Sequence, residues 1–180
     1  MKQQSLILGN YGLFLLSSAI LTSFQVSLWM QFFGYFPAPQ IWITTLIYWT
    51  IYRRPSEGVI MTYLLTALIA SLTAMPLSLL LITNIILFAL TMAFKQRIYW
   101  SSPTYFMMLS ALATLCFPVV HFILSFLFEN NSITDPAVLD WILSSLLTAL
   151  FALPTFLIYS WFDQLTQKEL PTETGSGIYE

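Results

Sequence analysis

The sequence predicts an all-α polytopic membrane protein, six transmembrane helices packed as one compact bundle. Three observations lead there. First, the 180-residue chain is 58% hydrophobic and only 8% charged. A soluble domain carries about 25% charged residues and uses them to cover its surface. Second, Gly58 to Phe94 contains no charge at all. As one helix that stretch would be roughly 55 Å long, nearly twice the hydrocarbon thickness of a bilayer, so it must fold back. Third, all six basic residues can be placed on one side of a membrane: Lys2, Arg53, Arg54, Lys95, Arg97 and Lys168. Six crossings that start inside put each of them in the N-terminus, the second loop, the fourth loop or the tail. That is the positive-inside pattern, and it orients the protein with both termini cytoplasmic.

Each span follows from apolar length and its punctuation. The first runs over 6–33 and is entered through Asn10. It is too long for a signal-peptide core and has no A-x-A site, so it reads as an uncleaved span. The second covers 35–52, opened by Pro37 and Pro39 and closed by Tyr48, Trp49 and Tyr52. Its uninterrupted apolar run, Ile41 to Tyr52, is about 18 Å long as a helix, short for a crossing. Were it not to span, only Lys2 would break the charge pattern, so the charges favour six spans over five by one residue. Arg53-Arg54-Pro55-Ser56-Glu57 makes a tight charged turn. Spans three (58–74) and four (76–94) form a hairpin folded at Ala74-Met75-Pro76, because proline suits a first helical turn. Lys95-Gln96-Arg97 ends it. Span five covers 104–128 with Pro118 inside, and span six 138–162 with Pro154 inside; prolines there predict kinks. Residues 1–165 thus form one transmembrane domain, and 166–180 a polar cytoplasmic tail expected to be disordered.

Chemistry-bearing residues are sparse. Cys116 is the only cysteine, which excludes an internal disulfide or a cysteine-based zinc site. His121 is the only histidine and lies in mid-span, with Ser125 one turn further on the same face. A Ser–His pair could be nucleophile and base, but rhomboid-type proteases take that pair from separate helices and carry Gly-rich Ser motifs absent here, and an imidazole bonded to a neighbouring helix explains it as well. The carboxylates Glu57, Glu129, Asp135 and Asp140 fall in loops or at a span's start. No acid lies deep in a span, which argues against ion-coupled transport. Thr83 and Asn84 sit at mid-depth and read as interhelical hydrogen-bond partners. No motif calls for a cofactor, a metal or a nucleic acid. In span three, Thr62, Thr66, Ala70 and Ala74 recur every four residues. Small residues at that spacing let helix backbones approach closely. The stripe serves either a partner helix or this bundle's own packing.

Pro39, Trp42, Tyr48 and Trp49, followed by Arg54 and Gly58, stand in a Pro-rich approach, an Ile/Leu/Trp/Tyr span and a short basic turn into a glycine. This segment resembles the rod shape-determining protein MreD family of bacteria. The size, the span count, the hairpin after span three and the short polar tail are similar too. Relatives of that family carry an acid and further glycines late in span three; here Ala67 to Pro76 has neither. The resemblance implies a non-enzymatic inner-membrane subunit of the cell-elongation complex. That subunit would bind MreC and, through the complex, MreB, the RodA glycosyltransferase and a class B penicillin-binding transpeptidase. It would support lateral-wall peptidoglycan synthesis within the membrane lipid. The implied fold is like that of energy-coupling-factor substrate subunits. The competing readings are a small-molecule-binding subunit of such a transporter, whose only candidate lining is the Glu129–Asp140 region, and an intramembrane enzyme using His121 and Ser125.

Overall fold

A computed structural model describes residues 2–73, 75–98, 102–128 and 138–166. Among these residues all regular secondary structure is helical, with no strand. Helix α1 (Lys2–Ser23) passes through a π-helical turn, Phe24–Leu28, into a short α2 (Trp29–Phe33). Gly34 then takes φ +59°, a left-handed conformation that glycine adopts without a Cβ penalty, and turns the chain. Helix α3 (Ile41–Tyr52) follows, then α4 (Pro55–Leu72), α5 (Leu77–Arg97), α6 (Pro103–Phe128) and α7 (Val138–Leu165). Both α6 and α7 continue helically through their internal prolines, Pro118 and Pro154.

Helix α3 begins at Ile41, six residues later than the second span expected from the sequence. The reason is local: Pro37 and Pro39 lack backbone N–H groups and keep the residues before them extended. Helix α4 starts three residues earlier than expected, at Pro55, because proline is pre-set for the first helical position. The α4–α5 hairpin forms at Thr73–Pro76, and the N–H of Leu80 bonds the carbonyl of Pro76 at 3.0 Å.

Helix α3 is the axis of the molecule. Every residue from Ile41 to Ile51 is buried, and α1, α4, α5, α6 and α7 all pack around it. A helix apolar on every side must be covered on every side, and here protein covers it, not lipid. Its core neighbours are aromatic. Phe14 of α1 stacks within 5.5 Å of Tyr48, 5.3 Å of Trp49, 4.9 Å of Tyr159 and 5.6 Å of Phe162.

Five segments are long and apolar enough to cross a membrane: Leu8–Leu28, Pro55–Leu72, Leu77–Arg97, Pro103–Phe128 and Val138–Leu165. The outer surface agrees, since Leu16, Ile60, Leu90, Leu146 and Leu157 are exposed while Asn10, Ser18, Thr66, Asn84 and Asp163 are fully buried. Apolar outside and polar inside is the arrangement that lipid selects, because polar groups in hydrocarbon must find partners within the protein. The chain is a multi-pass membrane protein.

Candidate functional site

Asn10, Ser18 and Thr22 of α1 and Gln25 of the π turn that continues it are all buried. Their spacing keeps them on one side of a helix. They form a polar seam that runs the length of the bundle in three clusters.

The first cluster lies where α1 begins and α3 and α7 end. Asp163 of α7 is fully buried. It accepts hydrogen bonds from the Arg53 guanidinium, from Tyr48 Oη at 2.6 Å and from Asn10 Nδ2 at 3.2 Å. Asn10 Nδ2 also donates to Thr166 Oγ1 at 2.7 Å. The Arg53 guanidinium lies 5.3 Å from the centre of the Trp49 ring, a cation–π arrangement. Arg53 and Asp163 form a buried ion pair. A cation and two neutral donors surround the carboxylate, and the group clasps α1, α3 and α7 together. It ties α7 to α1 and α3, which lie 153 and 110 residues earlier in the chain.

The middle cluster is a chain of hydroxyls. Ser18 Oγ and Thr45 Oγ1 are 2.7 Å apart, and Thr45 Oγ1 is 2.7 Å from Tyr159 Oη. The third cluster is at the opposite end. The π turn swings Gln25 inward, where Nε2 donates to Gln40 Oε1 at 3.2 Å, and Trp42 Nε1 donates to the same oxygen at 2.9 Å. The Gln40 N–H donates to Thr148 Oγ1 at 2.8 Å, and Ser144 Oγ donates to the Ala38 carbonyl at 2.8 Å. The approach to α3 is thereby pinned to α7.

The residues singled out from the sequence fall as follows. Pro39, Trp42, Tyr48, Trp49 and Gly58 are buried around α3, whereas Arg54 is exposed. At Gly58 an added Cβ would lie 2.7 Å from Phe88 Cε2 and 3.6 Å from the Trp49 carbonyl oxygen, so this glycine marks a close approach of α4 to its neighbours. Thr62 and Thr66 are buried inside the bundle, and Asn84 Nδ2 of α5 donates to Thr66 Oγ1 at 2.8 Å. Ala70 is half-buried, and Ala74 lies outside the described residues. His121 is half-buried and stacks on Phe117 at 5.7 Å, and Ser125 is buried. Asp140 is exposed at the start of α7; Glu129, Asp135 and the tail from 167 onward lie outside the described residues. No group of three or more potential metal ligands occurs among the described residues.

Sequence reasoning missed the clasp. It placed Arg53 in a charged turn with Glu57 and assigned no role to Asp163, the residue after the last span. The signal present was the helical spacing of Asn10, Ser18, Thr22 and Gln25, which announces a polar inward face on α1.

No protein-family model, curated protein or solved structure matches the chain.

Proposed function

We propose that this chain is a non-enzymatic subunit of the bacterial rod-elongation complex, an MreD-type protein of the inner membrane. It would bind MreC and support lateral-wall peptidoglycan synthesis. The observation that carries this reading is the likeness of Pro39–Gly58 to that family. Those residues build the helix around which the bundle is assembled and the turn that leads out of it. Asn10, Ser18 and Gln25 of the seam bond to groups of α3, α7 and the approach to α3, and what the molecule offers outward is the apolar sides of its helices and short turns. Surfaces of that kind dock partner helices in lipid.

The same reading carries the six-crossing topology, with α3 as the second crossing and the architecture of energy-coupling-factor substrate subunits. Two contacts support the topology. Arg53 meets Asp163, and Lys95 Nζ reaches the Thr50 carbonyl at 3.4 Å, so the ends of α3, α5 and α7 gather at one end of the bundle. A cytoplasmic location for that end follows from its basic residues.

Depletion of the protein in its host is expected to convert rods to rounded cells, and purification in mild detergent to co-isolate MreC. Cells that stay rod-shaped after complete removal would refute the assignment. Stabilisation of the purified protein by a vitamin would move it to the transporter subunits instead.

A further inference from the structure

Four basic side chains of the described residues lie at the end of the bundle where α3 and α5 finish: Arg53, Arg54, Lys95 and Arg97. Their surroundings differ. Arg53 is buried and neutralised by Asp163. Arg54 and Arg97 are exposed to solvent or headgroups. Lys95 is half-buried, and its hydrogen bond runs from Nζ to the neutral carbonyl of Thr50 at 3.4 Å, near the far limit for such a bond. An ammonium partly withdrawn from water is stabilised by a counter-charge far more than by one long contact to a carbonyl. Among the described residues the acids at this end are Glu57 and Asp163, and Asp163 is engaged by Arg53. The described residues of this end therefore carry more positive than negative charge.

The outer side of α5, round the helix from Lys95, is apolar. Leu90, Phe94 and Ile98, spaced by four residues, expose their side chains along the outer side of α5. An anion that arrives with hydrocarbon attached satisfies both features, the charge at the seam of α3 and α5 and the apolar flank below it. We propose that Lys95 binds the phosphate of an anionic glycerophospholipid, whose acyl chains lie along Leu90 and Phe94, with Arg54 and Arg97 at the rim. Basic groups at the cytoplasmic ends of membrane helices recognise anionic headgroups by this combination. A zwitterionic lipid offers the same phosphate but cancels it with its own cation, so the site discriminates by net charge. The inference is independent of the cell-elongation reading, since it needs only the charge and the apolar flank.

The test uses the full chain, purified in detergent, delipidated, and mixed with phosphatidylglycerol, phosphatidylcholine or sodium phosphate. Retained lipid is counted by native mass spectrometry. Phosphatidylglycerol is expected to be retained at least fivefold over phosphatidylcholine, and millimolar sodium phosphate not to displace it. Lys95→Gln should abolish the preference and Lys95→Arg should keep it. The double variant Arg54→Gln/Arg97→Gln, which alters only exposed side chains, should lower retention twofold to threefold and gives a reading if Lys95→Gln misfolds. Equal retention of the two lipids, displacement by sodium phosphate, or a preference unchanged in folded Lys95→Gln, or in the double variant if Lys95→Gln misfolds, overturns the proposal.

Discussion

Replacing Asp163 with Leu tests whether the clasp holds the bundle together. The substitution leaves a guanidinium whose side chain is 4% exposed without its counter-ion. It also removes the acceptor for Tyr48 Oη and for one bond of Asn10. Breaking a buried ion pair from one side costs about 3–5 kcal/mol. Arg53 stands at the end of α3, and its long stem can tilt toward the headgroups, which favours the lower end of that range. About 3 kcal/mol corresponds to a fall in Tm of roughly 6–12 °C for a chain of this size. Thermal unfolding in detergent, read by loss of the monodisperse chromatographic peak, measures it. Arg53→Met should cost about as much, because it strands the carboxylate instead. The double variant Arg53→Met/Asp163→Leu removes both charges and should recover most of either loss, since an apolar pair is not penalised for lacking a partner. If Asp163→Leu shifts Tm by less than about 2 °C, a scale set by that same conversion, the clasp does not stabilise the fold. Strictly additive single losses would show that the two charges are not coupled.

Glycine substitutions should separate by environment. Gly58→Val drives its side chain into Phe88 and should destabilise by about 1–3 kcal/mol. Gly12→Ala meets nothing within 4 Å and gains helix propensity, so it should be neutral or stabilising by up to about 1 kcal/mol in the same melt. Thr45→Val keeps shape but breaks the links to Ser18 and Tyr159. It should cost about 1–2 kcal/mol, and a value near zero would mean the hydroxyl chain is incidental. In a Cys116→Ala background, cysteine at exposed Tyr35 should react with an impermeant maleimide added outside intact cells. Cysteine at Arg54 or Arg97 should react only after permeabilisation; labelling of Arg54 and Arg97 from opposite compartments would refute the shared end.

Much of the fold was legible because lipid imposes one-dimensional rules. Long uncharged runs had to become helices, and the run from Gly58 to Phe94 had to fold back near Pro76 because one helix would overshoot the bilayer. Asn84 was legible as an interhelical partner, since an amide at mid-depth must bond something, and it bonds Thr66. Helix α3 was harder. Its sequence reads as a short span, and only its neighbours reveal that it is enclosed on every side. The Thr62–Thr66 stripe was ambiguous for a related reason: small residues announce close packing but not against what. Here Thr62 and Thr66 are buried within the bundle and Ala70 is half-buried.

What the sequence determined alone was the membrane class, the helical content, the hairpin and the gathering of basic residues, all consequences of moving apolar and charged groups between water and oil. What the tertiary structure decided was the pairing. Arg53 lies next to Glu57 along the chain's polar turn yet bonds Asp163, 110 residues away. Such a choice depends on which helices stand side by side and which end of each is level with the other. Local propensity is silent on that. It is settled by how the aromatic side chains of α1, α3 and α7 pack around Phe14, and the buried polar groups then find partners within the space left to them.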